Sequence, residues 1–301
     1  MYQVLLVMLI LIGLGIILQI FKIFPPVTAS LLNKFVLYIS FPCLVFRFLQ
    51  PAIIEASYWK IPPLAFSIIT IIFLLAYGWG KYGLRFSPAS SASFAMGAAF
   101  GNTAFLGYPF IMALLGENAL PPAIFFDQMG NFLVVYTVGV AICVYSKDQK
   151  FSLYSFKEIL KLPPFLAFVV ALFLNGVPIP AVFMDTINRL ADTTVPVIMI
   201  AIGLSLSIKQ VSRRLVPILY ATGIKLVLLP ILFLILTRFI HFEPVTRQVM
   251  VLQSATPTLM SSFALASLYS LDTELCSSII FTTTILSFAT FPLWNLILHN
   301  F

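Results

Sequence analysis

Phe100-Gly101-Asn102-Thr103-Ala104-Phe105-Leu106-Gly107-Tyr108-Pro109 is the stretch on which the reading of this chain turns. It lies inside an apolar run long enough to cross a bilayer, yet it is poor helix sequence. Pro109 has no N–H to donate, so the carbonyl of Phe105 loses its helical partner and Tyr108 is pushed away from α geometry. Gly101 and Gly107 add backbone freedom, and the Asn102 amide both donates and accepts. In hydrocarbon, a freed backbone group is costly unless protein, water or a ligand satisfies it. Two readings follow: a proline kink in a packed helix, or a true break that faces a cavity, as at transporter binding sites.

The rest of the chain supplies the setting for that break. Of its 301 residues 61% are hydrophobic and only 9% charged, with a mean hydropathy of +1.07. Soluble domains carry roughly a quarter charged residues, so a large water-soluble globule is excluded. The apolar runs are roughly 17–25 residues long, enough to span a hydrocarbon core of about 30 Å. Strand-length alternation is missing, which argues against a membrane barrel. The net charge of +7 is spread singly between spans. It suits loops that orient membrane helices and gives no reason to expect nucleic acid.

Cys43, Cys143 and Cys276 lie within apolar spans at no metal-ligand spacing, and the two histidines, His241 and His299, fall near span ends. No metal site and no cofactor are expected. Phosphate-binding Gly-Lys-Ser/Thr, His-Glu-x-x-His and Gly-x-Ser-x-Gly motifs are missing as well, so an enzyme is not expected and there are no candidate catalytic residues.

Ten spans can be read in an all-α polytopic membrane protein. The first, Val4 to Phe21, lacks a basic leader and a cleavage site and reads as a retained helix. The next are about Thr28–Leu49, Leu64–Leu84, Ser87–Leu115 and Pro121–Tyr145. After the longest polar segment, 146–161, come Pro164 to about Val177, Asp192–Ile208, Leu215–Ile240, Val245–Tyr269 and Leu275–Leu298. Ser87-Pro88 looks like an N-cap followed by proline at the first helical position.

This divides the single transmembrane domain into residues 1–145, a loop of 146–161 and residues 162–301. An odd number of spans per half means that a repeat must be inverted. Leu32-Asn33-Lys34 before Pro42 resembles Ile187-Asn188-Arg189 before Pro196, and spans four and nine are both broken. Aligning the turns after those two spans sets Pro257 opposite Asn102 or Thr103. Such paired interruptions point to a midplane binding site.

With the N-terminus outside, one set of loops holds Lys22, Lys81, Arg85, Lys147, Lys150, Lys157, Lys161, Lys209, Arg213 and Arg214. The other set holds Lys60, Arg189, Arg238 and Arg247. That imbalance predicts both termini outside and the 146–161 loop in the cytoplasm.

Span nine reads Gln253-Ser254-Ala255-Thr256-Pro257-Thr258. Thr256 is placed to cap a half-helix opening at Pro257, and Pro109 to open a second one. Two such ends would offer partial positive charge to a carboxylate, with Asn102, Thr103, Gly107, Gln253, Ser254 and Thr258 around it. The other reading is that both prolines merely bend helices. In span five, Asp127 lies well inside apolar sequence, where an ionised carboxylate is costly and persists when paired, protonated or used to bind a proton or cation. Asn131 follows one turn later on the same face. A structural pairing of Asp127 with Lys34, Arg47 or Lys225 stays open. Lys34 and Lys225 also have stems long enough to snorkel.

Taken together, Gly101 to Pro109, Asp127, Pro196 with Gly203, Ala255-Thr256-Pro257 and Thr282 to Ser287 resemble the auxin efflux carrier family, which is related in fold to bile-acid/sodium symporters. The likeness covers nearly the whole chain. It implies ten helices in a five-plus-five inverted repeat with broken helices four and nine crossing, and an elevator-like motion against a scaffold that is often dimeric. It also implies secondary transport of an organic anion across the cell (inner) membrane. By the same likeness Asn102, Pro109 and Pro257 fall at the crossover and Asp127 is its polar support. From its place in the span, Asp127 is the candidate for proton or sodium coupling, or a structural charge in the moving unit. The short central loop is similar to compact prokaryotic members, not to the large plant carriers. A sodium symporter of the bile-acid type and a non-transporting membrane sensor or assembly subunit are the alternatives.

Overall fold

The computed structural model describes residues 2–25, 27–147, 162–205 and 214–299. Among them it is helical, with no strand, and its one isolated β-bridge joins Gly101 to Thr258. In chain order the helices are α1 (Tyr2–Ile20), α2 (Thr28–Leu49), α3 (Ala56–Gly83), α4 (Pro88–Ala99), α5 (Thr103–Leu115) and α6 (Glu117–Tyr145). They continue with α7 (Pro163–Phe173), α8 (Ala181–Ser205), α9 (Leu215–Leu236), α10 (Pro244–Ser254), α11 (Ser261–Leu268) and α12 (Thr273–His299). Six of these, α2, α3, α6, α8, α9 and α12, are long and apolar enough to cross a membrane, and the apolar stretches of α1, α5 and α7 are shorter. Large apolar side chains stand exposed on the outside, among them Ile10, Leu75, Phe173 and Leu219. That surface suits hydrocarbon and not water.

Local chemistry sets the helix ends. The Ser90 N–H donates to Ser87 Oγ at 3.2 Å with Pro88 at the first position of α4, the cap expected from Ser87-Pro88. The Leu275 N–H likewise donates to Asp272 at 3.0 Å and starts α12. The C-terminal ends of α2 and α7 cap each other. The Asn175 amide donates to the carbonyls of Leu49, Gln50 and Ala52 at 2.9–3.0 Å. The Gln50 amide returns to those of Leu174 and Val177 at 2.8 and 2.7 Å. Gly176, at φ +72°, supplies the left-handed residue that ends α7.

One span start differs from the sequence reading. The seventh span was expected to begin near Asp192, but α8 begins at Ala181, right after an extended Pro180. Residues 181–191 hold no internal proline or glycine and continue as one helix, although their exposed residues include the polar Asp185, Thr186 and Arg189 beside Val182 and Phe183. The basic residues Lys150, Lys157, Lys161, Lys209 and Arg213, which weigh in the orientation argument, lie outside the described residues.

Against α8 packs α1, and the two backbones touch at Gly15 and Gly203. A Cβ on Gly203 would come within 2.8 Å of the Gly15 Cα. Buried polar side chains are concentrated elsewhere, in α4–α6 and α9–α12. Asn102, Thr103, Asp127, Asn131, Lys225, Gln253 and Thr258 are all buried there.

Candidate functional site

α4 ends where Phe100 turns extended (φ −81°, ψ 126°), and Asn102 (φ −81°, ψ 57°) is the last non-helical residue before α5. The Phe100 ring stacks on Phe73 with centroids 4.7 Å apart, which holds the exit from α4. The interruption thus covers three residues, and Pro109 does not open the second half. The first turn of α5 is wide, with the Gly107 N–H donating to the Asn102 carbonyl five residues back at 3.0 Å. That widened turn takes up the steric demand of the proline ring inside a continuing helix.

The second interruption is longer. α10 stops at Ser254 and α11 starts at Ser261. The Thr256 hydroxyl donates back to the Gln253 carbonyl at 2.7 Å, and the Ser254 hydroxyl to Val251 at 2.7 Å. Thr256 therefore closes α10 and does not cap the following half, contrary to the sequence expectation. Pro257 lies in the extended link. Beyond it, the Thr258 N–H donates to Thr283 Oγ1 at 3.1 Å and its hydroxyl to the Gly97 carbonyl at 2.6 Å. These bonds keep the chain extended, so the helix resumes only at Ser261.

The two breaks face each other and pair through an isolated antiparallel bridge. The Asn102 N–H donates to the Pro257 carbonyl at 2.7 Å, and the Leu259 N–H to the Phe100 carbonyl at 2.9 Å. Four groups freed from helices are thereby satisfied without water. The approach needs glycine. A Cβ on Gly101 would lie 2.7 Å from Thr256 Oγ1, and one on Gly107 would collide with Gln253 Oε1.

From α6, Asn131 and Asp127 support the first break. The Asn131 amide donates to the Gly101 carbonyl at 2.9 Å and to Thr103 Oγ1 at 3.1 Å, and its oxygen accepts from the Gly101 N–H at 3.2 Å. Asp127 accepts from Thr103 Oγ1 at 2.5 Å, Tyr108 Oη at 3.0 Å and Gln128 Nε2 at 2.7 Å. Among the described residues Asp127 has no ion-pair partner; Arg47 pairs instead with Asp192, and Arg214 with Asp272. The structural pairing of Asp127 with a basic residue is not found, and hydroxyl and amide donors take its place.

Two features escaped the sequence reading. Lys225 is 1% exposed and does not reach a membrane surface: its ammonium donates to the Ser254 carbonyl at the end of α10, at 2.5 Å. The signal in the sequence is a lysine mid-way along an apolar span, and a stem long enough to snorkel fits a buried end equally well. Second, both polar atoms of the Asn102 side chain are buried without a hydrogen-bond partner among the described residues, and so is Gln253 Oε1. Buried amides are rarely left so. Gly101, Thr103, Asn131, Lys225, Gln253 and Ser254 line a cavity of about 10 Å³, room for one water. Pro109 lines a different small cavity, with Phe41, Tyr108 and Ile198.

A sequence model described as "Membrane transport protein" matches residues 1–153 and 149–295. The chain belongs to this membrane transport protein family. It is the family of the auxin efflux carriers, as the sequence resemblance implied. Relatives in the family are similar along most of their length. An uncharacterized transporter of Methanocaldococcus jannaschii is 29% identical over 99% of both chains. A Rhizobium meliloti protein named "Putative malonate transporter" is 28% identical over 86% of this chain and 83% of its own. The uncharacterized transporter YfdV of Escherichia coli K12 is 25% identical over 88% and 87%. This family and these relatives are transporters, and the helical, lipid-facing architecture makes the chain a multi-pass membrane protein.

Proposed function

We propose that this chain is a secondary transporter of a small organic anion, and that the anion binds where the two breaks meet. The observation that carries this is the Asn102 amide. It is buried at the junction, beside main chain that has left helical geometry, and neither its donor nor its acceptor has a partner among the described residues. Gln253 contributes a third polar atom without a partner among the described residues. Deep in a membrane protein, such groups are retained for a ligand more readily than for packing. The malonate named for one relative supports a carboxylate as cargo.

In this reading the crossings number ten, with α4–α5 and α10–α11 as the interrupted fourth and ninth in two inverted halves. The contact between Asn102 and Pro257, which the alignment of the two halves sets opposite each other, supports that arrangement. The cavity at the breaks is too small for a carboxylate, so the described conformation is closed around the site. Loading requires the breaks to move relative to the surrounding helices, in an elevator-like alternation between the two sides. Both termini lie outside the cell membrane, and the scaffold is a homodimer. Asp127 and Asn131 keep the first break in shape, and Asp127 is the candidate group for proton coupling.

Counterflow of radiolabelled malonate in liposomes holding the purified chain tests the proposal. Saturable exchange that is blocked by other small carboxylates is expected. Failure of every small mono- and dicarboxylate to exchange would leave a membrane sensor or assembly subunit as the reading.

A further inference from the structure

We infer that Lys225 is a built-in substitute for a coupling cation: its ammonium occupies the end of α10 at which a dissolved sodium ion would otherwise coordinate, so the paired breaks work without a metal cation. The inference rests on the transporter reading above.

In carriers with interrupted helices, the C-terminal ends of half-helices and the unwound carbonyls after them are where sodium ions are held. Such an end carries a partial negative charge of about half a unit. Here that end belongs to α10, and the Ser254 carbonyl accepts from Lys225 Nζ. The lysine is carried by α9, a different helix, and its stem crosses to α10 through buried space. Gly101 of the opposite break lies beside the ammonium: a Cβ there would be in ordinary van der Waals contact with Nζ, at 3.4 Å. Both interruptions thus converge on the Lys225 amino group.

That amino group has no other evident use. Among the described residues Lys225 has no ion-pair partner, and the Asp127 carboxylate already accepts three hydrogen bonds from neutral groups. Lysine is a compact point charge with three donors and no acceptor, the side chain closest to a small cation in its demands on carbonyl oxygen.

The test uses the purified full chain in detergent and reads melting temperature in sodium chloride against N-methylglucamine chloride at equal ionic strength. Wild type is expected to show no sodium-specific shift. Lys225→Ala, which removes the ammonium and its stem, is expected to gain a shift of a few degrees with sodium or with ethylammonium, but not with tetramethylammonium. Lys225→Arg keeps a charge and is expected to stay insensitive. A sodium-specific shift in wild type would overturn the inference. So would Lys225→Ala, or Lys225→Met if the alanine variant does not accumulate, behaving as wild type in every salt. The wild-type arm decides even if neither neutral variant folds. Failure of carboxylate counterflow would overturn the transport reading while leaving these shifts as they are.

Discussion

The Asn131 side chain bonds to both main-chain groups of Gly101, accepting from its N–H at 3.2 Å and donating to its carbonyl at 2.9 Å. One amide on α6 thus does for the first break what a neighbouring strand would do. Gly101 has Thr258 on one side and this amide on the other. Asn131→Ala leaves both groups buried and unpaired, which costs about 1–3 kcal/mol for each. A melting temperature lower by several degrees is expected in thermal unfolding followed by size-exclusion fluorescence, with Asn131→Asp intermediate because it retains only the acceptor.

Gly107→Ala places a methyl group against the Gln253 amide oxygen. Overpacking of this kind costs about 1–3 kcal/mol. The obstructing atom is the end of a flexible side chain, so the loss should be recoverable. Transport by Gly107→Ala is expected to fall severalfold, and Gly107→Ala/Gln253→Ala to regain folding stability but not transport. Measuring melting temperature and uptake on the same three preparations checks both.

Asn102→Ala separates stability from function. Among the described residues no hydrogen bond uses that side chain, and its removal eliminates two buried atoms that lack a partner there. The variant is expected to melt at or above the wild-type temperature, yet to lose uptake by ten- to a hundredfold. Unchanged uptake would remove Asn102 from the binding site.

Asp272 ties three elements together outside the apolar core. It accepts from Ser90 Oγ at 2.7 Å, from Arg214 Nη2 at 2.9 and 2.7 Å, and from the Leu275 N–H at 3.0 Å. Burial pushes its carboxyl up, but these donors outweigh burial and hold it below its ordinary value of 3.8. A depressed folded value means stabilisation that is complete above the unfolded value and is lost as pH falls through the folded one. Asp272→Asn is therefore expected to be less stable than wild type by about 1 kcal/mol at neutral pH, a modest figure because Arg214 is 38% exposed. The gap should close as pH is taken below 3.8, which thermal unfolding across a pH series reads directly.

Much of this was legible in residue types. Gly101, Asn102 and Pro257 mark main chain that resists helix, and Asp127 with Asn131 marks a polar face inside an apolar span. Their spacing did not show what that face holds, which is the protein's own Gly101 and Thr103. The limits of each break were misjudged because proline reports where a helical bond is missing, not where a helix must end. The ends are decided by contacts far apart in sequence, such as Asn102 to Pro257 and Thr258 to Thr283. The depth of Lys225 was hidden for a similar reason: a long stem reaches a surface or a buried carbonyl equally well, and only packing chooses.

The strand-like contact between the breaks has a mechanical corollary. Pulling α4–α5 away from α10–α11 would strand the Phe100 and Pro257 carbonyls and the Asn102 and Leu259 N–H groups in a medium with no substitute partner. At roughly 1–3 kcal/mol for each group, that route is steep. Shifting both together strands none of them. The first and second parts of the chain are riveted at this point, so a displacement begun in one is already a displacement of the other.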